Sequence, residues 1–108
     1  MKLSRWFHVC FDEHNAYRKA EPPGAELWSD QFAWGDVVRV CFEVTDFLQS
    51  DNLYIFVRQR PESYVIPMKA EGGPALLDEL IRRKLFDAGL AIKAASAIEG
   101  LYCWPEGE

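Results

Sequence analysis

The chain is short of basic residues, has no long apolar run and carries none of the compact motifs that mark common chemistries. Twelve Lys and Arg stand against seventeen Asp and Glu, a formal charge of −5, and apart from Arg82-Arg83-Lys84 the cations are scattered. Tracking a phosphate backbone needs a concentrated basic stripe, and docking on an anionic membrane surface needs a similar cluster. Neither nucleic acid nor a membrane surface is therefore an expected partner. The longest uncharged apolar stretch, around Leu53 to Val57, is far short of the roughly 20 residues a spanning helix requires, so membrane insertion is not expected. Polar residues interrupt Trp6-Phe7-His8-Val9 at once and no small-residue cleavage site follows. That argues against a signal peptide and for a cytoplasmic protein.

Cysteine is scarce and unpaired in spacing. Cys10, Cys41 and Cys103 are three, an odd number, widely separated and without a Cys-x-x-Cys pair. Zinc or a redox dithiol is thus not suggested, and reduced thiols in a cytosolic protein are expected. Each lies in an apolar or aromatic run, where a free Cys behaves as a small hydrophobe. Gly-x-Gly-x-x-Gly, Walker and Gly-x-Ser-x-Gly patterns are all missing, and Gly72-Gly73-Pro74 before a helix is only a weak anion site beside its plain role as a turn. No cofactor is implied.

What the chain has is apolar and aromatic surface. In 108 residues, hydrophobic side chains make up 49% and aromatic ones 14%, ample to offset the entropy of ordering one domain and too little chain to divide into two.

Along the chain, Phe7, Val9 and Phe11 alternate with His8, Cys10 and Asp12, the period-2 pattern of a strand with one apolar face. A return strand over Ala16 to Ala20 and the Glu21-Pro22-Pro23-Gly24 turn complete a hairpin. Trp28, Phe32 and Trp34, at even spacing, predict a strand over Glu26 to Trp34. Val38, Val40, Phe42 and Val44 place a β-branched strand at the centre of the sheet, with Arg39, Cys41 and Glu43 on its other face. After a loop from Thr45 to Asn52, Leu53-Tyr54-Ile55-Phe56-Val57 reads as a strand apolar on both faces, paired in a hairpin with Ser63 to Ile66.

The periodicity then switches. Leu76, Leu77, Leu80, Ile81 and Leu85 form one stripe at helical spacing in a helix opened by Pro74, over about 74–86, with Asp78–Arg82 and Glu79–Arg83 as i,i+4 pairs. Asp87 caps a second helix, about 88–98, whose Leu90, Ala91, Ala94, Ala95 and Ile98 make a small-residue face. Leu101 to Trp104 is a short last strand before Pro105 and an acidic tail. The expectation is a single α+β domain over 1–108: a bent antiparallel sheet of about six short strands within 6–67, one or two helices that close it, and the last strand.

This order, with Phe32-Ala33-Trp34-Gly35-Asp36-Val37-Val38 leading into a strand, a hairpin, and Tyr64-Val65-Ile66-Pro67 before a Gly-containing helix start, resembles small bacterial PH-like domains over about residues 6 to 86. The stretch from Leu85-Phe86-Asp87 through Ala94-Ala95 to Leu101-Tyr102-Cys103-Trp104 looks like the end of a small uncharacterised bacterial α+β domain family. The PH-like resemblance implies a sheet closed by a C-terminal helix, a scaffold used for binding and rarely for catalysis. Neither resemblance supplies catalytic residues, and the second helix and final strand depart from a simple PH-like pattern.

Two functional readings follow. His8, Cys10, Asp12 and His14 fall at i,i+2 spacing on one strand face, the one constellation that tempts a metal or Cys-His reading. Yet four such positions span about 20 Å at ~3.3 Å per residue, so only neighbouring pairs could share an ion, and residues two apart on a strand diverge. The plain reading is the polar face of an amphipathic strand. Against this, the aromatics exceed what one face of a small sheet buries, and Trp28, Trp34, Tyr54, Phe56 and Tyr64 are the candidate binding patch. The leading expectation is a non-enzymatic cytoplasmic domain that contacts a protein partner, or itself, through that patch. The alternative is a small-ligand or metal-binding domain, or an enzyme, using the His8 to His14 face.

Overall fold

The structure, a computed structural model, describes residues 3–45 and 51–105; most of the loop expected between Thr45 and Asn52, and the acidic tail after Pro105, lie outside them. Six strands precede the helices: β1 (Phe7–Phe11), β2 (Asn15–Ala20), β3 (Trp28–Ala33), β4 (Val37–Val44), β5 (Asn52–Val57) and β6 (Tyr64–Pro67). Helices α1 (Gly73–Arg82) and α2 (Ala88–Ala95) follow, then a seventh strand, β7 (Gly100–Trp104). The class is α+β, as the switch from alternating to helical periodicity implied. Instead of one bent sheet there are two antiparallel ones, ordered β1-β2-β3 and β6-β5-β4-β7. No helix among the described residues is long and apolar enough to cross a membrane.

Alternation decides what each sheet buries. Phe7 and Val9 of β1, Ala16 and Ala20 of β2 and Phe32 of β3 form one inner face, and Val40, Phe42, Val44, Leu53, Ile55, Val57 and Ile66 form the other. The α1 stripe joins the same core, with Leu76 and Leu80 fully buried and Leu77, Ile81 and Leu85 packed against it. Each buried Leu or Ile contributes about 1.5–3 kcal/mol relative to exposure, so this shared interior is the main stabilising term.

Arg18 is the exception to the apolar pattern. It pairs across the ladder with Val9 on one side and Asp30 on the other, which puts it on the inner face. Its Nε and Nη2 donate to the two Asp30 carboxylate oxygens at 2.9 and 2.6 Å, and its Nη1 donates to the Val65 carbonyl of β6 at 2.8 Å. The guanidinium sits 4.9 Å from the Trp28 ring centre and 5.0 Å from that of Tyr64. One side chain thus ties the two sheets together at their open edge.

The outer edge of β1 is closed by the chain entering α1. The Val9 N–H donates to the Glu71 carbonyl at 2.7 Å, and the Glu71 N–H to the Phe7 carbonyl at 2.8 Å. Gly72 follows with φ +88°, and a Cβ there would lie 2.0 Å from the Val9 carbonyl oxygen.

Several expectations need correcting. A register shift between Val37 and Arg39 turns Val38 outward, 48% exposed, so it leaves the face of Val40, Phe42 and Val44. α1 ends at Arg82 rather than near 86, because Lys84 takes a left-handed conformation and the Leu85 and Phe86 N–H groups both turn back to the Leu80 carbonyl. Arg82 pairs with Glu79 and not Asp78, and Glu79 also accepts from Arg83 at 2.7 Å. α2 ends at Ala95, three residues before the expected Ile98, which is exposed. Asp87 does cap it, accepting from the Leu90 N–H at 2.9 Å. Cys41 and Cys103, expected as reduced thiols, stand opposite each other on β4 and β7 and are joined in a disulfide. Cys10, expected as a reduced thiol behaving as a small hydrophobe, is free, but it is exposed.

Replacing Gly72 by Ala is expected to cost about 2–4 kcal/mol, combining left-handed strain with a backbone clash. Gly24→Ala, at φ +76° with nothing within 4 Å of the added Cβ, is expected to cost only about 1–2 kcal/mol. Urea unfolding of the two variants checks this; equal losses would contradict the packed contact at Val9.

Candidate functional site

The alternation that sends Leu53, Ile55 and Val57 inward sends Tyr54 and Phe56 to the opposite face of the four-stranded sheet. Register then assembles a row across all four strands: Val65 of β6 opposite Tyr54, Tyr54 opposite Cys41, and Cys41 opposite Cys103. Phe56 lies opposite Arg39, and Leu101 opposite Glu43, on the same face. Val65 is 37% and Leu101 62% exposed, whereas Tyr54 and Phe56 are half-buried. The Tyr54 hydroxyl donates to Glu43 Oε1 at 2.6 Å. That hydrogen bond raises the phenol's pKa, with help from partial burial and the carboxylate charge. The outcome is an apolar face in which the acid is engaged by a neighbouring hydroxyl.

The five aromatics expected to share a patch are divided. Tyr54 and Phe56 are on this outer face. Trp28, 38% exposed, points to the inner side at the sandwich margin, edge-on to Phe7 at 5.8 Å and against Arg18. Trp34 and Tyr64 belong to the core and do not lie on this face. Trp34 donates its Nε1–H to the Asp12 carbonyl at 2.9 Å, lies between Phe11 and Phe32, and is covered by the Arg83 guanidinium at 4.5 Å. Tyr64 donates to the Gln31 carbonyl at 3.1 Å, packs on Phe32 and is flanked by Arg60 at 4.1 Å. Two sheets enclose more aromatic volume than one face of a single small sheet. Val65 and Leu101, exposed apolar members of the outer face, are not distinguished in the sequence, because their position depends on pairing with distant strands.

His8 and Cys10 are exposed on β1, and Asp12 and His14 are exposed in the turn that follows. Asp12 organises that turn. Its Oδ1 accepts from the His14 and Asn15 N–H groups, both at 2.8 Å, and its Oδ2 accepts from the Tyr17 hydroxyl at 2.7 Å. The Tyr17 hydroxyl first, then the two backbone donors, lower the Asp12 pKa from 3.8 to about 2. Among the described residues no three or more His, Cys, Asp or Glu side chains stand close enough to hold a metal ion.

Among the described residues open clefts flank the core, two of them of about 300 and 320 Å³. One of about 300 Å³ is lined by Asn15, Gln31, Asp36, Gln59, Arg60 and Tyr64; its two charged groups face Arg58 and Glu62, each at 3.8 Å. The other, about 320 Å³, is more apolar and lies between the end of α1 and Trp104. No family model, curated protein or solved structure matches the chain.

Because the folded-state pKa of Asp12 is depressed, its contribution to the turn is complete above pH 3.8 and is lost as pH falls through about 2. Tyr17→Phe removes the largest cause, so the Asp12 pKa is expected to rise toward 3.8 and the turn to loosen at a higher pH. Carboxyl-carbon NMR titration of both proteins reads this directly; an unchanged Asp12 pKa in the variant would contradict it.

Proposed function

We propose that this is a non-enzymatic binding domain that contacts a protein partner through the outer face of its four-stranded sheet. The observation that carries the reading is the cross-strand row of Val65, Tyr54 and the Cys41–Cys103 pair, with Phe56 and Leu101 beside it. Apolar and aromatic side chains assembled on an outward face are the usual core of a protein contact, and Glu43 and Arg39 supply polar groups beside them. A scaffold of PH-like type fits this use, and the order of antiparallel strands followed by an amphipathic helix is compatible with it. The absence of catalysis in this proposal draws support from how the reactive side chains are used. Asp12 is engaged in its turn, Glu43 by Tyr54, and the charged groups of the polar cleft face opposite charges. The acidic balance of the chain speaks against nucleic acid as the partner.

A cytoplasmic setting belongs to the same proposal. Exposed, free Cys10 suits a reducing compartment. There, the Cys41–Cys103 bond is one that forms and breaks, since glutathione and thioredoxin systems keep most cytosolic thiols reduced.

Affinity capture from the native host, with partners identified by mass spectrometry, tests the proposal when wild type is compared with a Val65→Asp, Leu101→Asp double variant. Both positions are exposed, so the variant is expected to keep its fold and lose about 1 kcal/mol of stability or less per site. Retention of the partner is expected to fall at least about tenfold, because a charge at the centre of an apolar contact must be desolvated. No retained partner for wild type at micromolar protein, or equal retention by the variant, would contradict the proposal.

A further inference from the structure

We propose that Cys41–Cys103 is a thiol–disulfide exchange site that latches the C-terminal strand to the domain, and that its substrate is a dithiol reductant. The latch follows from strand order and burial and does not depend on the protein-contact reading above.

β7 is an edge strand whose one neighbour in the sheet is β4. None of its five residues is fully buried, and α2, which leads into it, has Ala94 as its one buried residue. Leu90, Ala91 and Ala94 pack α2 against the core, whereas the stretch from 96 to 104 is held by the β4–β7 ladder, by the half-buried Tyr102 and Trp104 opposite Phe42 and Val40, and by the disulfide. That bond joins residues 62 apart in sequence, so it suppresses detachment of a strand that is otherwise weakly anchored. Its two sulfurs differ in access. Cys41 is buried on β4, whereas Cys103 is half-buried on the outward face of the edge strand. Cys103 is the sulfur an external thiolate reaches.

The exchange balances without any further reactant. One thiolate of the dithiol attacks Cys103 Sγ, the Cys41–Cys103 bond breaks, and Cys41 leaves as a thiolate that takes up a proton. The second thiol of the reductant attacks its own sulfur in the mixed disulfide and releases Cys103 as a thiol. The protein gains two electrons and two protons, and the dithiol leaves as a disulfide. With the covalent tie gone, β7 opens more often and uncovers the edge of β4 from Val40 to Val44, a row of main-chain donors and acceptors open to strand pairing.

The test uses the oxidised full chain under native conditions, with dithiothreitol as the probe. N-ethylmaleimide labelling followed by mass measurement is expected to find one reactive thiol, Cys10, before treatment and all three cysteines after it. Amide exchange at residues 100–104 is expected to accelerate at least about tenfold on reduction, while exchange in β5 and β6 stays within about threefold. A Cys41→Ser, Cys103→Ser double variant is expected to show the fast β7 exchange with or without dithiothreitol. Three outcomes overturn the proposal: three labelled thiols after mild oxidation, a bond that resists dithiothreitol until the domain unfolds, or reduction with no change at 100–104. All three are read on wild type, so they hold even where the double variant fails to fold.

Discussion

The inward-facing Arg18 is the interaction on which the division of this domain into inside and outside depends. Two short sheets of three and four strands have no main-chain ladder joining them, so at the open edge something else must hold them face to face. Arg18 does so by engaging Asp30 on its own sheet and the Val65 carbonyl on the other, with Trp28 and Tyr64 shielding its guanidinium. Charge-assisted hydrogen bonds of this kind are each worth about 1.5–3 kcal/mol. Loss of the carboxylate alone would leave a largely desolvated cation, a penalty of about 3–5 kcal/mol in well-buried cases and less here, where Asp30 is partly exposed. The opposite end is closed by Arg83, which lies over Trp34 and reaches the Asp12 and Glu13 carbonyls. Between these two arginines lie Trp34, Phe32 and Tyr64 of the interior, and the Tyr64 hydroxyl adds a hydrogen bond from β6 to the Gln31 carbonyl of β3.

Once the inner faces are fixed, strand alternation fixes the outer ones. Leu53, Ile55 and Val57 must face α1 and the other sheet, and Tyr54 and Phe56 are thereby committed to the outside. The same logic places Cys103 and Leu101 outward on β7, because Tyr102 and Trp104 take the inward positions opposite Phe42 and Val40. The proposed contact face and the proposed latch are thus built from one row of side chains. Leu101 and Cys103 share the outward face of β7, so the proposed latch and the proposed contact face are coupled through that strand.

Much of this architecture is legible in the sequence, and what is not has a common cause. The alternation of Phe7, Val9 and Phe11, the Val40-Phe42-Val44 face and the Leu76–Leu80 stripe are local patterns, and each marks its element and its buried side. The disulfide is not local: it requires that β4 and β7, separated by a hairpin and two helices, pair in the register that sets Cys41 against Cys103. Arg18 and Asp30, twelve residues apart, read as surface charges until their strands pair and both prove to face inward. Val38 follows the strand pattern but is displaced by an irregularity that no turn residue announces. The aromatic surplus was visible as a number, yet its division between core and surface rests on there being two facing sheets. Trp34 and Tyr64 therefore went inside and Tyr54 and Phe56 outside.

The central claim, that the outer face of the four-stranded sheet meets a protein, is tested most directly by site-specific photo-crosslinking in the native host. A benzophenone side chain is placed at position 65 or 101 on that face and, for comparison, at position 26 in the exposed β2–β3 connection. The account predicts a discrete higher-mass adduct from positions 65 and 101 and none from position 26. Adducts from position 26 alone, or none from any position when the protein is present at its natural level, would contradict it.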